Sequence, residues 1–128
     1  MSLYAQHIEN YKARKFGNEG QFEAVKQVKK YIDEHFHEEL NLDVLAQKKF
    51  ISKFHLLRLF KHYYGQTPRQ YLTDKRLVRS KELLVSGTSV TETCYAIGFK
   101  SLGSFSSLFK SRNGVSPKEF QKRARLKK

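Results

Sequence analysis

At 128 residues, with 39% apolar side chains and a single cysteine, the chain can build one domain or two very small ones and cannot form an internal disulfide. No apolar run approaches the roughly 18 residues of a spanning helix, and the opening "MSLYAQHIENYKARKFGNEG" lacks a signal peptide's apolar core, so a soluble intracellular protein is expected. The net charge of +13 is unevenly placed: residues 1–47 carry six Lys/Arg against eight Asp/Glu, whereas residues 48–128 carry nineteen against four, a net of +15. That imbalance favours a polyanionic partner, most commonly nucleic acid.

A polar arm, residues 1–20, comes first. In "QFEAVKQVKKYIDEHF", Phe22, Val25, Val28, Ile32 and Phe36 recur at helical spacing with charges opposite. "NLDVLAQ" starts a short helix with Asn41 as N-cap and Asp43 in the first turn. "KKFI" is a connection, Ser52 caps "SKFHLLRLFKHYY", and Gly65 stops it. Thr67, Pro68 and Gln70 give a capping box with proline at the first helical position, opening a long helix. Its apolar residues are Tyr71, Leu72, Leu77, Leu83 and Leu84, and it ends near Gly87. Ser89 and Glu92 then form a second capping box, Gly98 and Phe99 a turn, Ser101 a cap for "LGSFSSLFKSR", and Gly114 a stop. Ser116, Pro117 and Glu119 start a last helix that frays into "KRARLKK". No segment shows the alternation and turn chemistry of paired strands, so the expected fold is all-α with about seven helices.

The chain repeats itself. "LFKHYYGQTPRQY" at 59–71 returns as "LFKSRNGVSPKEF" at 108–120, 49 positions later. Two copies argue for a duplicated module rather than a stacked solenoid. Each reads as short helix, tight turn and second helix, the outline of a helix-turn-helix. The expected divisions are a first module at 21–66, a linker helix at 67–87, a second module at 88–123 and a basic tail at 124–128. In the first module Leu42, Leu45 and Ala46 would pack on Leu56, Leu59 and Phe60. In the second, Val90, Cys94 and Ile97 would pack on Phe105, Leu108 and Phe109. Ala46 precedes Ser52 by six residues and Cys94 precedes Ser101 by seven, and the additional residue is expected at Gly98.

If those apolar residues point inward, Lys53, Phe54, Leu57, Arg58 and Lys61 point outward. A major groove about 12 Å wide admits one helix, and Arg58 is the residue type that pairs with guanine O6 and N7. Phe54 and Leu57 suit either thymine methyls or packing between lobes. In the second module Leu102, Gly103, Ser104, Ser106 and Ser107 face outward, flanked by Lys100, Lys110 and Arg112. The first helix is therefore expected to carry more hydrogen-bonded base reading, the second more shape and backbone contact. A strut from about residue 68 to 86 would measure roughly 25–28 Å at 1.5 Å per residue. It could hold two reading helices near one groove repeat, about 34 Å, apart.

These residues resemble a known family. "LNLDVLAQKKFISKFHLLRLFKHYYGQTPRQYLTDKRL" and "SVTETCYAIGFKSLGSFSSLFKSRNGVSPKEF" closely resemble the AraC/XylS family of bacterial transcription regulators, over roughly residues 21–122. The second stretch fits the pattern A-x-x-x-GF-x-S followed by F-x-x-x-FK-x-x-x-G-x-[ST]-P, with Cys94 at the small-residue position; Ser80 replaces the linker helix's usual alanine. The resemblance implies a seven-helix DNA-binding unit with each module's second helix in a major groove. By motif position, Lys53, Phe54, Leu57 and Arg58, then Leu102, Gly103, Ser104, Ser106 and Ser107, match base-reading places. Ser52, Lys61, Lys100, Ser101, Lys110 and Arg112 are candidates for backbone contact. Double-stranded DNA is the implied partner and RNA polymerase a further one, for a cytoplasmic, nucleoid-associated monomer without cofactor. The stand-alone MarA-type subgroup, or a fragment of a longer effector-responsive regulator, fits the length.

Other classes fit less well. Repair methyltransferases fused to such modules need several cysteines, and Cys94 falls on a core face. His35 and His37 lie on different helix faces, and His55 and His62 lack carboxylate or cysteine partners at metal-binding spacing, so neither a metal nor catalysis is expected. RNA recognition usually needs aromatic platforms, whereas these aromatics sit at core spacing. Membrane-surface binding needs one continuous basic face beside an apolar one, and "QKRARLKK" is too short.

Overall fold

A computed structural model describes residues 20–127. The expected polar arm, apart from Gly20, lies outside the described residues, as does Lys128. The described residues form seven helices: α1 (residues 20–35), α2 (Leu42–Lys48), α3 (Lys53–Tyr64), α4 (Pro68–Val85), α5 (Val90–Ala96), α6 (Leu102–Asn113) and α7 (Pro117–Leu126). There is no strand among the described residues. The all-α expectation holds.

Local chemistry sets most of the boundaries. Asn41, Ser52, Ser89, Ser101 and Ser116 each adopt extended backbone, and each side chain accepts a hydrogen bond from the N–H three residues on. Each such cap is worth about 1 kcal/mol. Gly65 (φ 73°) and Gly114 (φ 80°) close α3 and α6 alike, donating their N–H to Lys61 and Lys110 carbonyls at 2.8 Å. The last helix runs on to Leu126 instead of fraying, with an Arg123–Glu119 ion pair one turn apart at 3.2 Å.

The described residues form two compact units. One combines the chain up to Ile32 with Asn41–Pro68; the other combines Asp33–Leu40 with Arg69 onward. In the first, Val25, Val28, Ile32, Leu42, Leu45, Ala46, Leu56 and Phe60 are buried. Phe22, expected on the buried face of α1, is 41% exposed and packs its ring against Tyr63 instead, because it sits in the first turn, at the edge of the core. Leu59 is only half-buried, as is Leu57, so the in–out division of α3 is less sharp than its wheel predicts.

The second unit is built around Leu77, Leu84, Cys94, Ile97, Phe105 and Phe109, with Leu83, Val90, Phe99, Leu108 and Phe120 at its margin. The long helix α4, expected as a connection, thus supplies core side chains of its own. A file of rings, Phe99–Phe105–Phe109–Phe120, runs through this core at centroid spacings of 5.5, 5.8 and 5.4 Å. Truncating either fully buried phenylalanine to alanine would cost roughly 3–5 kcal/mol. Ser80 is buried in α4, its hydroxyl donating to the Leu77 carbonyl at 2.6 Å. Thr93 is buried as well, and its hydroxyl has no hydrogen-bond partner among the described residues.

Polar ties join distant parts of the chain within this unit. Arg76 on α4 donates from Nε to the Phe36 carbonyl (2.7 Å) and from Nη2 to the Glu38 carbonyl (2.8 Å). It thereby satisfies carbonyls just beyond the end of α1 that have no helical partner. Gln121 of α7 donates to the Leu84 and Thr88 carbonyls at 3.0 and 2.7 Å, tying α7 to the end of α4 and the turn after it. Asp33 accepts from the Tyr71 hydroxyl and pairs with Lys75 at 3.2 Å.

The two short turns that precede α3 and α6 close with the same bond. Ile51 N–H donates to the Ala46 carbonyl and Phe99 N–H to the Cys94 carbonyl, both at 3.1 Å. The left-handed residue is Phe50 (φ 56°) in the first and Gly98 (φ 93°) in the second. Phe50 is therefore the counterpart of Gly98, and the additional residue of the second turn is Lys100. This corrects the expectation that placed it at Gly98; sequence spacing alone does not show which turn residue keeps the backbone bond.

Candidate nucleic-acid interface

In the first unit the Ser52 cap aims α3 so that Leu56 and Phe60 enter the core. Phe54 (74% exposed), Arg58 and Lys61 then face solvent, with Lys53 and Leu57 half-buried. No carboxylate of the described residues pairs with Arg58 or Lys61. Lys53 lies 3.9 Å from Asp43 and 5.9 Å from the centre of the Phe54 ring, a pair of contacts an exposed lysine can exchange readily.

The second unit repeats this with smaller side chains. Phe105 and Phe109 anchor α6, leaving Leu102, Gly103, Ser104 and Ser107 exposed and Ser106 half-buried. A β-carbon added at Gly103 would meet only the Ser101 hydroxyl, at 3.8 Å, and φ is not positive there. Nothing among the described residues calls for glycine at this position. Lys100 pairs with Glu39 at 3.6 Å, both strongly exposed, and Arg112 with Asp74 at 2.7 Å. Lys110 is exposed, and the Ser52 and Ser101 hydroxyls are occupied as caps.

First-turn charge separates the helices further. Asp43, Glu92 and Glu119 sit in the first turns of α2, α5 and α7; α3, α4 and α6 have no acidic residue there. The positive ends of α3 and α6 thus carry no anion in their own first turn, and helix ends of this kind suit anions.

The residues weighed for other chemistry fall elsewhere. Cys94 is fully buried, and burial raises its thiol pKa, so little thiolate forms. No group of three His, Cys, Asp or Glu side chains suited to a metal occurs among the described residues. No described helix is long and apolar enough to cross a membrane.

A helix-turn-helix domain model matches residues 45–123, spanning both turns and both exposed helices. The chain belongs to the AraC/XylS family. Its sequence is 35% identical over 92 residues to the transcriptional activator RhaS of Escherichia coli, covering 71% of this chain and 33% of RhaS. A transcriptional regulator from Chromobacterium violaceum, described as having an AraC-type DNA-binding domain, is 30% identical, with a TM-score of 0.63 over 86% of this chain and 96% of that one. The DNA-binding domain of AdpA, solved with a target DNA, is 28% identical, with a TM-score of 0.75 over 81% of this chain and 95% of that one. The chain spans 33–55% of the length of the curated relatives it matches. Within this AraC/XylS chain, sequence reasoning passed over Phe50, whose counterpart Gly98 was the available signal, and Arg76, which nothing marks until its two carbonyl acceptors are seen.

Proposed function

We propose that this chain binds double-stranded DNA sequence-specifically as a bacterial transcription regulator. Each unit inserts its second helix, α3 or α6, into a major-groove segment, the two segments being successive along one duplex. Lys53, Phe54, Leu57 and Arg58 read bases in the first, and Leu102, Gly103, Ser104, Ser106 and Ser107 line the second. Ser52, Lys61, Lys100, Ser101, Lys110 and Arg112 approach the backbone. The carrying observation is that both second helices combine a bare outer face with an uncompensated positive end, within a stretch of net charge +15. The RhaS, C. violaceum and AdpA likenesses support it. The protein acts without catalysis or cofactor, in the cytoplasm, as a monomer on DNA, with RNA polymerase as a further partner.

Selection from random 30-base-pair duplexes near physiological salt tests this. Two enriched blocks about one helical turn apart are expected. Retention with no enriched sequence would reduce the interaction to charge alone and overturn the reading.

A further inference from the structure

Among the described residues, the most exposed large apolar side chain is Phe50, at 96%. Phe50 is also the one non-glycine residue there with positive φ, 56°. Both features oppose folding, since a bulky side chain disfavours the left-handed region and a bare ring gains nothing from burial. Glycine would remove both at once, and the corresponding residue of the second turn is glycine. The two turns share their backbone bond yet face different surroundings. A β-carbon at Gly98 would lie 2.7 Å from the His37 carbonyl oxygen and 2.9 Å from Arg76 Nη2, so protein already occupies that place. At Phe50 the side chain stands clear of the described protein.

The surroundings of Phe50 indicate what covers it. Lys48 and Lys49 precede it and Lys53, 3.9 Å from the Asp43 carboxylate, follows, and the sequence has no further carboxylate from 44 to 73. Phe54, in the first turn of α3, is a second exposed aromatic, at 74%. Aromatic surface set among three lysines against one carboxylate suits a polyanion that also offers apolar groups, which duplex DNA does through its deoxyriboses and thymine methyls. We propose that Phe50 is a DNA-contact residue: it packs on an apolar group of the duplex beside the segment read by α3. The proposal rests on α3 being a groove helix and extends the reading surface to the turn before it.

The test compares the intact chain with F50G and F50L on a fluorescent 30-base-pair duplex enriched by the unmodified protein. F50G should raise the melting temperature by relieving the backbone, yet weaken binding by about tenfold, the loss expected for one partly buried apolar side chain. The slope of log affinity against log salt should not change, because an apolar contact releases no counterions. F50L keeps an apolar side chain and should bind within about threefold of the unmodified chain by the same burial argument. A duplex with deoxyuridine for thymine assigns the contact: an F50G defect that disappears there places Phe50 on a methyl, one that persists places it on a sugar. Unchanged binding by F50G, a lowered melting temperature or a shallower salt slope would each overturn the proposal. If the selection enriches nothing, the groove-helix reading fails and Phe50's role with it; if only F50G binds normally, Phe50's role fails alone.

Discussion

Gly98 and Gly103 lie five positions apart in the second unit and meet different demands. Gly98 combines φ 93° with backbone and guanidinium atoms where a side chain would start. Gly98→Ala should therefore destabilise the fold by about 2–4 kcal/mol, combining left-handed strain with displacement of the hydrogen-bonded Arg76 guanidinium; a denaturant titration checks it. Gly103 carries no such constraint among the described residues. At Arg58 the contrast concerns recognition: Arg58→Ala should cost about 1–3 kcal/mol of base discrimination, and Ser107→Ala less, as read from affinities for single-base variants of the enriched duplex. Equal losses would contradict a division into a hydrogen-bonding first helix and a shape-reading second. Single residues were also where the sequence was hardest to read. Ser52 and Ser101 align the copies at sight, but the sequence points to Gly98 as the inserted residue because glycine advertises positive φ, and Phe50 adopts that conformation without advertising it. Thr93 reads as a polar helix residue, and only its depth reveals a hydroxyl without a partner.

At the scale of the element, the capping signals were almost wholly legible because they act within four residues. The side-chain caps at Asn41, Ser52, Ser89, Ser101 and Ser116 and the glycine stops at Gly65 and Gly114 all lie where local chemistry puts them. The in–out division of α3 was legible only in part, since Leu57 and Leu59 share a half-buried boundary that depends on neighbouring helices. The helices also differ in how completely they are capped. α5 and α7 carry Glu92 and Glu119 at the third helical residue; α6 has Ser104 there. Ser104→Glu would complete a capping box and place an anion at the helix's positive end, stabilising the protein by about 0.3–1 kcal/mol. The same carboxylate should weaken DNA binding by repelling phosphate, most strongly at low salt. Melting temperature and affinity moving in opposite directions would show that α6 forgoes a stabilising acid to meet its partner; both rising would contradict that account.

For the whole molecule, the repeat made the duplication plain, whereas the membership of each unit was hidden. Asp33–Leu40 precede α2 in sequence but belong with Arg69 onward, and no local pattern records that, because the tie is made by Arg76 reaching carbonyls about forty residues away. A chain of residues 67–128 alone should consequently melt lower than the intact protein, with Arg76 left without its two acceptors; adding back a peptide of residues 30–41 should recover part of the loss, as circular dichroism would show. The same threading gives folding a direction in time. On a ribosome, residues 41–68 emerge soon after α1, so the first unit can close while synthesis continues. The segment from Asp33 to Leu40 is made before α2, yet its partners Arg76 and Gly98 appear much later. It must wait, uncommitted, until α4 and the turn before α6 have left the exit tunnel, so the second helix-turn-helix is finished by a piece of chain translated before the first helix-turn-helix.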